Sequence, residues 1–143
     1  MRFDLSHKIA IVTGASQGIG KTIAIEMAKS GATVFCLARN KEALDATIKT
    51  ITEEGGKAYA FSCDISNNDD FKNISLNIFK NYGSIDILVN NAGITKDNLL
   101  LRMSDNQWDD VLNINLKGPF TCTRSVVKHM MKNKFGRIIN ITS

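Results

Sequence analysis

Histidine and cysteine are scarce in this chain of 143 residues, which holds two of the first and three of the second. His7 and His129 stand alone, so neither a histidine metal cluster nor a Cys–His catalytic pair can be assembled. Cys36, Cys63 and Cys122 lie far apart with no C-x-x-C pair, which argues against structural zinc. Their odd number, with no secretion signal, points to reduced, partly buried thiols and a cytoplasmic setting (an organellar matrix if the source is eukaryotic). The apolar run near the N-terminus is short and carries Asp4 and Lys8 beside it. It reads as a buried first strand, and neither as a signal peptide nor as a membrane span. Low-complexity linkers and internal repeats are absent, so residues 1–143 read as one domain. Apolar content of 43% against 22% charged describes a globular chain with a core of its own. The formal net charge of +4 is spread along the sequence, with one local exception taken up below.

What is present is an alternation of strands and helices. Residues 8–12 (KIAIV) form an apolar strand, and a helix follows from about Ile19, with Ile19, Ile23 and Met27 marking its buried stripe and Gly31 stopping it. Residues 32–38 are a continuous apolar run, as expected of a strand covered on both faces. A helix carrying Leu44, Ile48 and Ile51 leads to strand three, residues 57–64. Ser66 is the expected cap of a helix with Phe71, Ile74, Ile78 and Tyr82, ended by Gly83. Residues 84–90 are strand four. Ser104 and Gln107 form a capping box for one long helix running toward Lys132, and residues 136–142 are strand five. The fold class is therefore α/β: a Rossmann-like, doubly wound parallel sheet with helices on both faces and about five strands. Ligands of such sheets bind at the carboxyl ends of the strands.

The segment TGASQGIG, residues 13–20, occupies that position after strand one. Gly14 and Gly18 permit backbone conformations that a side chain resists, and Gly20 lets helix and strand approach closely. With Ala15, Ser16, Gln17 and Ile19 they present the N–H groups and positive dipole end of a helix, which suit a pyrophosphate. Further along, Pro119 lies four residues after Asn115 and has no N–H, so the Asn115 carbonyl loses its normal helical donor. A kink with a carbonyl able to bind an ordered water is expected there.

Residues 13–20, the NNAG of residues 90–93 and Asn115 occur in an order that resembles the short-chain dehydrogenase/reductase family. The resemblance covers the whole chain. It implies hydride transfer between NAD(P) and a carbonyl or alcohol by an Asn–Ser–Tyr–Lys tetrad, with Asn115 matching the Asn and Ser143 the Ser. The carbonyl of Asn115 would then hold the water that returns the proton given up by the tyrosine. The Tyr-x-x-x-Lys pair of the family falls about a dozen residues beyond Ser143. The chain is thus expected to be the amino-terminal part of a longer enzyme and inactive alone, since the tyrosine is the proton donor and the lysine lowers its pKa.

The same resemblance assigns Asp64 and Ile65 to the adenine ring, and Asn91, Ala92 and Gly93 to the adenosine-side ribose. Asp64 can equally cap the turn before Ser66, and Asn90 joins neighbouring strands. At the end of strand two, where NAD-preferring members carry a carboxylate, this chain has Ala38 followed by Arg39. An arginine there can bind a 2′-phosphate through two charge-assisted hydrogen bonds, so NADP (as NADPH) is the expected cofactor.

Residues 91–120 are similar to the matching stretch of 3-oxoacyl-[acyl-carrier-protein] reductases within the family, through Ile94, Asp97, Asn98, Leu99, Leu100, Arg102, Met103 and Trp108. That implies an acyl carrier protein as partner, bearing a 3-oxoacyl thioester. Reductases of acetoacetyl-CoA, sugars or polyols, and a non-catalytic nucleotide binder, remain open alternatives. Lys128, Lys132, Lys134 and Arg137, with His129, form a run without an acid that is expected to steer an acidic carrier to the active-site mouth. The run lacks interleaved aromatics, which speaks against nucleic acid. By likeness, a homotetramer is expected to pack through the long helix at Val111, Leu116, Val126, Val127 and Met130.

Overall fold

The computed structural model describes residues 3–142. Strands β1 (Ile9–Thr13), β2 (Thr33–Ala38), β3 (Lys57–Ser62), β4 (Ile87–Asn90) and β5 (Arg137–Asn140) form one parallel sheet in the order β3-β2-β1-β4-β5. The chain winds outward from β1 through β2 to β3, then crosses back to β4. The order therefore reverses between β1 and β4, and a crevice opens there at the carboxyl ends. Helices α1 (Gly18–Lys29), α2 (Lys41–Glu53), α3 (Asn68–Tyr82), α4 (Asp105–Leu112) and α5 (Gly118–Asn133) supply the crossovers.

Alternation along the strands produces two apolar layers. Ile9, Ile11, Leu88 and Ile138 face α3 and α5 with Phe71, Ile78 and Val126. Ala10, Val12, Ile87 and Val89 face α1 and α2 with Ala24, Leu44 and Ile51. At the amino edge, the buried Asp86 carboxylate accepts the Ile9 N–H at 2.7 Å and the Ser84 hydroxyl at 3.1 Å. It thereby ties β4 to β1 where the strands begin.

Three details differ from the sequence-based expectation. In α1 the face turned to the sheet is Gly20, Ala24 and Ala28, while Ile19 is 63% exposed. The helix lies so close to the sheet that only small side chains fit beneath it. The cap of α3 is Asn67, whose side chain accepts the Asp69 N–H at 3.0 Å, because Ser66 is engaged with Asp64. The long helix is three pieces: α4, a π-helical segment Asn113–Lys117, and α5, with the Gly118 N–H reaching the Asn113 carbonyl. Pro119, at the start of α5, cannot donate, and the register slips by one residue to accommodate it. The capping box is present in both directions, Ser104 with Gln107. Among the described residues no helix is long and apolar enough to cross a membrane.

Candidate functional site

A cleft of about 680 Å³ lies at the carboxyl ends of β1 to β4. Its first wall is the turn after β1, where Gly14 (φ +64°) and Gly18 (φ +57°) adopt the left-handed region. A Cβ on Gly20 would lie 2.2 Å from the Gly14 carbonyl oxygen, so turn and helix meet at a distance only glycine allows.

The turn is held from behind by two hydroxyls that sequence reasoning missed. Thr13 Oγ1 accepts the N–H groups of Asn91 and Ala92, each at 3.0 Å, and so welds the end of β1 to the loop after β4. Thr47, fully buried on α2, donates to the Ala15 carbonyl at 3.0 Å, and the Ala15 N–H reaches the Leu37 carbonyl at 3.2 Å. From the other side the Asn91 amide donates to the Gly14 carbonyl at 3.2 Å. The phosphate-type turn is thus a rigid element braced by β2, α2 and the β4 loop.

Of the residues singled out from sequence, Gly14, Ser16, Gln17, Arg39, Asp64, Ile65, Asn91, Ala92 and Gly93 line this one cleft. Ala15 and Gly20 are buried behind it, while Gly18 and Ile19 are exposed where α1 begins. Ala38, Asn40 and Ala43 complete the wall at the end of β2, and no carboxylate stands there. Ser66 donates to Asp64 Oδ1 through its hydroxyl at 2.6 Å and its N–H at 3.0 Å. These bonds hold the Asp64 carboxyl below its ordinary range, and the nearby Arg39 charge adds to the effect. Asp64 therefore does cap its turn, while its side chain also borders the cleft.

Asn115 sits on the π segment and zips that segment to the loop after β4. Its Oδ1 accepts the Ile94 N–H and its Nδ2 donates to the Ile94 carbonyl, each at 2.8 Å. A Cβ on Gly93 would come 3.3 Å from Asn115 Oδ1, so the small residue permits the approach. Asn90 is buried and donates to Asn140 Oδ1 at 2.9 Å and to Thr123 Oγ1 at 3.2 Å, fixing β4 against β5 and α5. Ser143 lies outside the described residues.

The basic run does not face this cleft within one chain. In a parallel sheet α5 ends, and β5 begins, at the amino edge, and Arg137 pairs in register with Ile87 at the start of β4. Four residues of strand separate that edge from the cleft, roughly 13 Å. His129 is buried against the Phe79 ring (centroids 4.1 Å apart), and Lys132 lies over the same ring. Val126 and Met130 belong to the core, so the exposed apolar stripe of α4 to α5 is Leu112, Leu116, Phe120, Val127 and Met131.

The three thiols are buried, and burial pushes each up to about 12, which keeps them protonated and unreactive at neutral pH. Among the described residues no group of three His, Cys, Asp or Glu side chains converges to hold a metal.

The chain belongs to the short-chain dehydrogenase family, whose model matches residues 8–143. It is 43% identical over 138 residues to the 3-oxoacyl-[acyl-carrier-protein] reductase of Staphylococcus epidermidis, covering 96% of this chain and 57% of that protein. It is 45% identical over 140 residues to the reductase of the same name from a Synechocystis species, covering 97% of this chain and 57% of that one. A metagenomic short-chain oxidoreductase solved in complex with NADP superposes with a TM-score of 0.94 at 38% identity, over 97% of this chain and 63% of its own. The chain thus spans little more than half the length of these curated relatives.

Proposed function

We propose that the protein is an NADPH-dependent oxidoreductase that reduces 3-oxoacyl thioesters carried on acyl carrier protein to 3-hydroxyacyl thioesters. Because the chain covers little more than half of its relatives, the activity proposed is that of the whole protein, with residues 1–143 contributing the cofactor domain. The observation that carries the reading is the end of β2. Ala38 and Arg39 border the cleft beside Ser16 and Gln17, with a guanidinium where an NAD-type site needs a carboxylate.

The cleft fits a dinucleotide in size and in build. A volume of about 680 Å³ is in the range of ligand pockets, and Gln17 before α1 makes no side-chain cap bond, so the first N–H groups of that helix stay uncovered. In this reading Gly14, Ala15, Ser16, Gln17, Gly18, Ile19 and Gly20 take the diphosphate, and Arg39 the 2′-phosphate. Asp64 and Ile65 take the adenine, and Asn91, Ala92 and Gly93 the ribose. NADPH supplies the hydride for the substrate carbonyl. Asn115, pinned to Ile94, keeps the π segment and its carbonyl at a fixed height beside the cleft mouth, and Ser143 orients the carbonyl oxygen.

The names of the two curated relatives support the substrate class. The stripe from Leu112 to Met131 supports packing against further copies in a homotetramer. A cytoplasmic site of action fits both.

Titration of the protein with NADPH and NADH tests the reading. NADPH should bind saturably and more tightly, and Arg39→Asp should move the preference toward NADH by about tenfold or more, since a charge-assisted pair becomes a repulsion. An unchanged preference would reject the NADP assignment. Failure of the wild type to bind either nucleotide would remove the proposal altogether.

A further inference from the structure

A second hollow of about 410 Å³ opens off the cleft and shares Arg39, Ile94 and Ile114 with it. Lys96 and Asp110 lie on its wall and form an ion pair that joins the loop after β4 to α4. Arg39 therefore borders two spaces that each contain a carboxylate. Asp64 lines the cleft with it, already occupied by two bonds from Ser66, and Asp110 lines the hollow with it.

We propose that Lys96 determines cofactor specificity at one remove: by neutralising Asp110 it keeps the Arg39 guanidinium available for the cofactor's 2′-phosphate. This rests on the NADP reading above. A sphere of that volume is about 9 Å across, slightly more than the Debye length at physiological salt, so the effect is partly screened there and grows as salt is lowered. Without Lys96 the bare Asp110 carboxylate would draw the guanidinium across the hollow and would repel the phosphate. Both effects weaken binding of the phosphorylated cofactor. Neither touches NADH, which carries no charge at that position.

The competing role for the pair is a simple clasp, since it also ties down a loop whose base is held by Thr13 and whose middle is held by Asn115. The two roles part on which partner is removed. A clasp is broken equally by Lys96→Met and by Asp110→Asn. In the electrostatic role only the lysine substitution does harm, and the second substitution repairs it.

The experiment is calorimetric titration of wild type, Lys96→Met, Asp110→Asn and the double variant with NADPH and NADH at low and high salt. Lys96→Met should weaken NADPH binding by about three- to tenfold, an amount that shrinks with salt, and should leave NADH unchanged. Asp110→Asn should not weaken NADPH binding, and the double variant should return close to wild type. Lys96→Arg should behave as wild type, and Lys96→Gln substitutes for Lys96→Met should that variant fail to fold. The proposal is overturned by equal losses in the two single variants, by a double variant still impaired, or by an unchanged NADPH-to-NADH ratio in a folded Lys96→Met protein. Wild-type binding of neither nucleotide would instead defeat the cofactor reading, which the same titration measures separately.

Discussion

The β1–α1–β2–α2 quarter and the α4–π–α5–β5 flank of one sheet are built on opposite terms. In the first, β1 is buried along its whole length, the helix above it presents Gly20, Ala24 and Ala28, and buried hydroxyls stitch the turn to its neighbours. In the second, β5 is mostly exposed, and Leu99, Leu100, Leu101, Trp108, Leu116 and Phe120 are all exposed. Close packing of small residues fixes the backbone geometry of the turn after β1. The other flank carries apolar side chains that residues 3–142 leave uncovered. One half is packed tightly around a cleft, and the other leaves large apolar side chains exposed among the described residues.

The sharpest way to break the first half is Gly20→Val. A Cβ there meets the Gly14 carbonyl oxygen at 2.2 Å and its carbon at 2.8 Å, and backbone cannot rotate away as a side chain can. Stability should fall by about 3 kcal/mol, the upper end of overpacking costs, with loss of nucleotide binding. Urea unfolding measures the first effect and NADPH titration the second. A variant of wild-type stability would show that α1 has room to lift from the sheet.

How far each half was legible in the sequence follows from the range of its interactions. Apolar runs of five to seven residues and glycines at fixed offsets are local, so the strands and the turn can be read directly, whereas Asp64, Ile65, Asn91, Ala92 and Gly93 are reached only through the family resemblance. Thr47 could be read neither way, because its partner Ala15 is 32 positions away and nothing near Thr47 announces it. Helical periodicity puts the large apolar Ile19 on the buried face, whereas here steric closeness selects the smallest residues for that face. Pro119 signalled a break without revealing that a π turn absorbs it. The position of the basic run needed only topology: the end of a crossover helix is always at the edge opposite the ligand crevice.

An intermediate effect is expected at the α3–α5 seam, where His129 is 7% exposed, stacks on Phe79 and leaves Nε2 without a partner. Burial pushes its pKa below the ordinary 6.5, and Lys128 and Lys132 push the same way. A depressed folded-state value means that the unfolded chain binds the proton more readily below that pH. Stability should therefore be full above about pH 6.5 and decline as the pH falls through the window beneath it. Thermal unfolding of wild type and His129→Phe between pH 7.5 and 5 checks this. The variant should lose less stability than wild type over that range, and parallel curves would assign the decline to carboxylates instead.

The smallest effect on the folded chain itself belongs to the exposed stripe. Leu116 is 67% exposed, so Leu116→Ser removes little surface that folding had hidden from water. Under dilute conditions where the protein is monomeric, its unfolding free energy should change by no more than about 0.5 kcal/mol. The same substitution should weaken self-association seen by sedimentation, because a hydroxyl placed in an apolar interface must lose its water. A fall of more than about 1 kcal/mol in the monomer would mean that Leu116 is already packed by its own chain, and the contrast between the two halves would then be one of degree. Unchanged association beside unchanged stability would leave the stripe as ordinary surface.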